Sequence, residues 1–293
     1  MEKGRKRRKK NGYRGKAWIW MLAVLCLAGC GKSKETEEKQ LALRSEGIAK
    51  AQEGDYEGAI DSYEEALQLA DLHAGALERD IAAYKASALY HAGEMQKAID
   101  TFTAILDLKE SAEIYMARGM LYRESEKLTE AKADFTAAVG LMSKKDTLML
   151  GRLSYYMEDY NAAKSYLESA VKSGDREAVY WEAALYWEMG NTEYAITLYQ
   201  DYLSGEAPEH PEAYARVASW QIGQEDYDAA LSTLEAGIAR GESAVLQELL
   251  ANEIAVYEKK SDFETAKLKM ESYLERWPED EEAQREYLFL KTR

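Results

Sequence analysis

Gly54-Asp55-Tyr56-Glu57-Gly58-Ala59-Ile60-Asp61-Ser62-Tyr63-Glu64-Glu65-Ala66-Leu67 is the stretch whose reading decides the fold. Gly54 breaks the chain, an aromatic follows at Tyr56, and Ala59 and Tyr63 then stand four residues apart, one helical turn. Twelve residues before Ala59 is a second small residue, Gly47. The same twelve-residue step recurs from Ala86 to Ala98, Gly119 to Ala131, Gly151 to Ala163, Ala183 to Ala195, Ala218 to Ala230 and Ile254 to Ala266. Four residues beyond each alanine comes a large apolar or aromatic side chain: Tyr63, Phe102, Phe135, Leu167, Tyr199, Leu234 or Met270. Inside each step lies a break at Gly54, Gly93, Glu126, Glu158, Gly190, Glu225 or Ser261, several of them just ahead of Tyr56, Tyr160, Tyr227 or Phe263. Each unit therefore reads as helix, tight turn, helix.

Small residues belong at the two fixed positions because antiparallel helices approach closely only where one of them presents Gly or Ala. A large side chain then fills the hole beside that contact. The alanines are spaced 39, 33, 32, 32, 35 and 36 residues apart, close to the roughly 34 of tetratricopeptide repeats. From about residue 41 to the end the chain resembles that family, and Glu94-Met95-Gln96-Lys97-Ala98-Ile99-Asp100-Thr101-Phe102 is similar to its second helix. The pattern departs from the family where Ile254 replaces a small residue, where residues 74–78 are inserted, and where only Pro208, Pro211 and Pro278 occur in the chain. The expected fold is all-α, a right-handed α-solenoid of about seven helix-turn-helix units over residues 41–293, with a C-terminal capping helix around Tyr287-Leu288-Phe289-Leu290.

The resemblance also implies where a ligand sits. In this family the first helices of successive units line a concave groove, which places Tyr90, Met116, Met120, Arg123, Arg152, Tyr155, Tyr156, Tyr180 and Trp187 on or near it. Aromatic side chains and arginine supply much of the energy of interfaces, so the expected ligand is a protein or peptide. With 21 tyrosines in the chain, the competing reading is that these pack between helices with their hydroxyls outward. A small molecule or glycan on platforms at Trp181, Trp187 and Trp220 is the alternative.

The first 29 residues form a different segment. Lys3, Arg5, Lys6, Arg7, Arg8, Lys9, Lys10, Arg14 and Lys16 precede an apolar run over 17–29, too short for the roughly 20 residues of a membrane-spanning helix. The run ends in Leu27-Ala28-Gly29-Cys30, which resembles the lipobox of bacterial lipoproteins. That resemblance implies a signal peptide over 1–29, cleavage before Cys30 and acylation of its thiol. Acyl chains hold a protein durably when two or more are present, so the expectation is an extracytoplasmic protein anchored in the bacterial cell membrane, or in the outer membrane of a Gram-negative cell. Residues 30–40 are polar and charged, as suits a flexible tether.

Composition narrows the functional classes. The 293 residues carry a net charge of −15, and beyond residue 29 there are 29 basic against 52 acidic side chains. A surface of that sign repels phosphate backbones, which sets nucleic acid aside as a partner. Both cysteines, Cys26 and Cys30, lie in the N-terminal segment, leaving none for a disulfide or thiolate metal site in the body. His73, His91 and His210 stand in different units without metal-ligand spacing, and the sequence contains no phosphate loop, nucleophile elbow or HExxH helix. No catalysis, metal or cofactor is expected; the expected role is a membrane-anchored docking scaffold of the cell envelope.

Overall fold

The computed structural model describes residues 33–70, 74–205 and 208–293. The expected signal peptide over 1–29 and the lipidation site at Cys30 lie outside the described residues. Among the described residues the chain forms fifteen α-helices and no strand, the all-α class the repeats imply. It divides into two compact units. The first, up to Leu108, contains α1 (Lys34–Gln52), α2 (Tyr56–Gln68), α3 (Ala76–His91) and α4 (Met95–Leu108). The second, from Lys109, contains α5 (Ala112–Glu124), α6 (Leu128–Leu141), α7 (Thr147–Tyr156), α8 (Tyr160–Lys172), α9 (Arg176–Glu188), α10 (Thr192–Leu203), α11 (Glu212–Gly223), α12 (Tyr227–Ile238), α13 (Leu246–Lys259), α14 (Phe263–Arg276) and α15 (Glu281–Leu290). Odd-numbered helices up to α13 are the first members of seven pairs. Within each unit the partners pack on one another and on the next pair, and first helices also touch first helices, α1 with α3, α7 with α9 and α11 with α13.

Every break noted in the sequence is a residue with left-handed backbone: Gly54, Gly93 and Gly190 at φ of 83°, 81° and 78°, Glu126, Glu158, Glu225 and Ser261 at 59° to 61°. Each closes a helix by the same pair of bonds. The N–H of Gly54 donates to the Ala51 carbonyl and that of Asp55 to Lys50, and the pattern repeats at Glu158 with Tyr155 and Asp159 with Ser154. Two of the orphan carbonyls at a helix end are satisfied this way. In four of the seven pairs the side chain of the residue after the break then caps the next helix. Side-chain oxygens of Asp55, Asp159, Asp226 and Asp262 accept from the N–H groups of Gly58, Ala162, Ala229 and Thr265 at 2.9–3.3 Å, which satisfies one of the donors a helix start leaves open. Two adjacent residues thus end one helix and begin another, so the pair can only fold back as a tight hairpin.

The recurrent alanines, Ala59, Ala98, Ala131, Ala163, Ala195, Ala230 and Ala266, are all at most 2% exposed. Tyr63, Phe102, Phe135, Leu167, Tyr199, Leu234 and Met270 are buried one turn further on. The small first-helix residue meets that large side chain directly. A Cβ added at Gly47 would lie 2.5 Å from the Tyr63 ring, at Gly119 2.6 Å from Phe135, and at Gly151 2.7 Å from Leu167. Helix partners are in contact there through backbone against side chain, with no room for a methyl group.

A second repeated position carries polar groups. The residue before the small one faces the residue three beyond the alanine: Arg118 donates to both carboxylate oxygens of Asp134 at 2.7–2.8 Å, and Lys269 donates to Glu253 at 2.7 Å. In the pair α9 and α10 the same positions hold Glu182 and Leu198. Glu182 is buried opposite an apolar partner, and burial, aided by Glu168, pushes its carboxyl above the usual carboxylate range.

One boundary differs from expectation. The tether expected over 30–40 is helical from Lys34, because this stretch offers strong helix formers, a Ser33 cap that accepts from the Thr36 N–H, and a Lys39–Glu35 ion pair one turn apart. Gln40 is fully buried, donating to the Ala66 carbonyl of α2 at 2.8 Å. At the other end Ala283 and Leu290 of α15 are buried against α14, while Leu288 and Phe289 are exposed.

Two outcomes follow from these contacts. Gly119→Ala should lower stability by about 1–3 kcal/mol, since the Phe135 ring has nowhere to retreat, whereas Gly140→Ala, with nothing within 4 Å of the added methyl group, should not. Urea denaturation of both variants measures the difference. Glu182 folds more readily protonated, so its penalty is absent below the unfolded carboxylate pKa and grows as pH rises through the raised folded value. Glu182→Gln should therefore raise the melting temperature at neutral pH, and the gain should vanish at about pH 4.

Candidate ligand-binding face

Eight of the nine side chains placed on the groove by family geometry lie on α5, α7 and α9 of the second unit, as Met116, Met120, Arg123, Arg152, Tyr155, Tyr156, Tyr180 and, near the end of α9, Trp187. Tyr90 belongs to the first unit, half-buried near the end of α3 with its ring centroid 5.0 Å from that of His91.

Helix pairing explains why these residues share a row. The buried stripe of each first helix is spent on its partner, through Gly119 and Leu121 on α5, Gly151 and Leu153 on α7, and Ala183 and Leu185 on α9. Residues turned around the helix axis from that stripe are left to pack against the neighbouring pair. Met116, Met120 and Tyr156 pack half-buried around the cluster of Ala131, Phe135 and Leu153, joined there by Met142, Met149 and Met157. Tyr155 and Tyr180 bridge the cluster of Leu167, Trp181 and Leu185 and that of Val179, Tyr199 and Tyr202.

The aromatics form one connected group. Tyr155 and Tyr156 meet edge to face with centroids 5.6 Å apart, and each meets Trp181 in the same way at 5.8 and 5.5 Å. Such tilted contacts set ring edges against ring faces. Burial pushes the Tyr155 hydroxyl up to about 12 and raises those of Tyr156, Tyr180 and Tyr199, against the opposing pull of Arg152 on Tyr156. The phenols therefore stay neutral near neutral pH and act as hydrogen-bonding groups.

The arginines behave differently from one another. Arg123 is exposed, with its guanidinium 5.2 Å from the Tyr156 ring centroid. Arg152 is half-buried 4.7 Å from the Trp181 ring and donates to Glu177 at 3.2 Å. The same carboxylate oxygen accepts the Trp181 indole N–H at 3.2 Å and stands 3.6 Å from the His210 Nε2. Glu177 thus spends the charge of Arg152 inside the protein. The face of Tyr180 is likewise taken, since His210 stacks on it at 3.8 Å with the planes 10° apart. The segment over 208–211 is held in place by the Tyr202 hydroxyl, which accepts the N–H groups of Glu209 and His210 at 2.7 and 3.0 Å. Trp187 is covered by Arg216 of α11 at 4.9 Å.

The structure brings Arg123, Arg152, Tyr155, Tyr156 and Tyr180 together through the rings of Tyr156 and Trp181, and it adds Glu177, His210 and Arg216, which sequence reasoning missed. Glu177 lies one helical turn before Trp181, a spacing visible in the sequence. His210 reaches the row through a connection between helices that no periodicity marks. Among the described residues no group of three His, Cys, Asp or Glu side chains is arranged to hold a metal ion, and no helix is long and apolar enough to cross a membrane. A cavity of about 250 Å³ lies elsewhere in this unit, lined by Ala251, Ile254, Glu258, Met270, Tyr273 and Glu286, away from Trp181, Trp187 and Trp220.

Comparison with known proteins agrees with this architecture. One model of the tetratricopeptide repeat matches residues 44–113 and 148–213, and a second matches 112–143, together more than half of the chain. Comparison with curated protein sequences gives no significant match. Among solved structures the chain is similar to a tetratricopeptide repeat protein from Parabacteroides merdae, at 18% identity over 87% of this chain and 100% of that one, with a TM-score of 0.56. It is also similar to yeast Tom70, at 16% identity and a TM-score of 0.65 over 88% of this chain, and spans 54% of that longer chain. PilW, a type IV pilus biogenesis factor, matches at 19% identity over 72% of this chain and 98% of its own, with a TM-score of 0.52. At these identities the likeness is one of fold.

Removing Glu177 separates the paired arginine from the unpaired one. Glu177→Ala strands Arg152 and the Trp181 N–H together and should cost about 1–3 kcal/mol in urea denaturation. Arg123→Ala, at an exposed site, should change stability by less than about 0.5 kcal/mol.

Proposed function

Since the chain belongs to the tetratricopeptide repeat family, we propose that it is a lipid-anchored scaffold of the bacterial envelope, docking a protein or peptide partner on the first helices of its repeats. Proteins of this family generally serve as protein-interaction scaffolds rather than as catalysts. The observation that carries the docking reading is the joined group of Tyr155, Tyr156 and Trp181 beside half-buried Met116 and Met120. Rings offer large contact area at low entropic cost, and methionines adapt their shape to an apolar partner. The anchoring reading rests on the basic segment, the short apolar run and Leu27-Ala28-Gly29-Cys30 in that order.

Both parts can be tested in one strain series. Intact mass of the detergent-extracted protein should correspond to a chain beginning at an acylated Cys30, and Cys30→Ala should move the protein out of the membrane fraction; a mature chain that begins elsewhere refutes the anchor. A photo-crosslinking amino acid at Met120 or Tyr155 should trap a partner band in intact cells, and the same group at Leu128 on the second helix α6 should not. Equal trapping at all three positions would refute the assignment of the face.

A further inference from the structure

Five arginines lie on the first helices α5, α7, α9 and α11 of the second unit. Three have carboxylates within the protein: Arg118 with Asp134, Arg152 with Glu177 and Arg176 with Asp201. Arg123 and Arg216 have none among the described residues. Both are exposed, yet neither is loose, for each guanidinium stands 5.2 or 4.9 Å from a ring centroid of the neighbouring first helix, Arg123 at Tyr156 and Arg216 at Trp187. In a body with 52 acids to 29 bases, internal carboxylates are in excess, and an arginine left without one is the less expected arrangement. A guanidinium stacked on a ring keeps its N–H edge directed outward and gives up little further freedom when it binds a planar carboxylate with two hydrogen bonds.

Resting on the docking role proposed above, we infer that the partner is an acidic peptide segment, laid across α5 to α11, whose carboxylates are bound by Arg123 and Arg216 while the half-buried Met116, Met120 and Tyr155 take its apolar side chains. Arg152, already neutralised by Glu177, is a positioning residue that holds Trp181 and makes no contact with the ligand's charge. Glu188 and Glu212 lie close enough to the row to act on Tyr155, Tyr180 and Tyr199, so a bound acidic segment has to overcome their repulsion. What outweighs it is the contact of its carboxylates with the two stacked guanidiniums, while more distant acids are screened at moderate salt. Rejection of basic segments is then supplied by the two guanidiniums themselves, which meet like charge in contact.

The test is a selection of random twelve-residue peptides displayed on phage against the full-length protein in detergent, followed by affinity measurement of the enriched sequences as synthetic peptides. Enriched peptides should be rich in Asp and Glu, and replacing those acids by Asn and Gln should weaken them on the order of tenfold. Arg123→Gln with Arg216→Gln should cause a loss of the same size, and it should remove most of the salt dependence. Circular dichroism and melting should be unchanged in that double variant, as both side chains are exposed. Enriched peptides that are neutral or basic, and that are lost on Tyr155→Ala but not on the double arginine change, would overturn the acidic-partner inference while leaving the docking face intact. Selection that enriches nothing, or peptides indifferent to all of these substitutions, would overturn both.

Discussion

The contact between a small residue on one helix and a large side chain on its partner is the constraint on which everything else in this protein depends. At Gly47 with Tyr63, Gly119 with Phe135 and Gly151 with Leu167 the first-helix backbone lies directly on a ring or branched side chain. That closeness sets the spacing of each pair, and the spacing sets which side chains remain for neighbours. Closely packed interiors transmit such demands because no void absorbs them. The twelve-residue step then follows, because the left-handed break and the cap after it return the chain at one fixed distance from the contact.

From that constraint the division of labour between helices also follows. Second helices bury alanine and a large residue against their own partner, and positions next to the contact hold polar bridges such as Arg118 with Asp134 and Lys269 with Glu253. First helices keep one further stripe, turned beside the next first helix, where Tyr155, Tyr156, Tyr180 and Trp181 come together. The face with chemical variety is the one left over after packing is satisfied. Its internal charges are partly settled by Glu177, so that the row is a mixture of closed contacts, at Tyr180 and Arg152, and open ones, at Arg123 and Arg216.

Much of the fold was legible because repetition multiplies a weak signal. A lone Glu158 gives no hint of left-handed backbone, but its place in the same frame as Gly54, Gly93 and Gly190 does, and all seven breaks adopt it. The helix beginning at Lys34 was not legible as such, since charged residues suit a solvated coil and an exposed first turn equally; what decides between them is the burial of Gln40 against α2, a contact 26 residues distant in sequence. The site was legible only in part for a related reason. Family geometry assigns a residue to a face but says nothing of what covers it, so the stacking of His210 on Tyr180 and the claim of Glu177 on Arg152 could not be foreseen from α7 and α9 alone. Those contacts come from the connection before α11 and from competition among acceptors, neither of which has a period.

The break that turns each helix into a hairpin also fixes how such a chain gives way under tension. Hydrogen bonds and ion pairs that close a pair join residues near in sequence, such as Arg118 and Asp134, 16 apart, so a pair can peel away without loosening those further along. A chain held at one end and loaded at the other would lengthen in steps, each releasing about 34 residues or on the order of 100 Å of slack. Small scaffolds with one central core lose everything at the first rupture. Here the load would be shed hairpin by hairpin, and each released hairpin would keep its own left-handed turn position with which to re-form when the pull subsides.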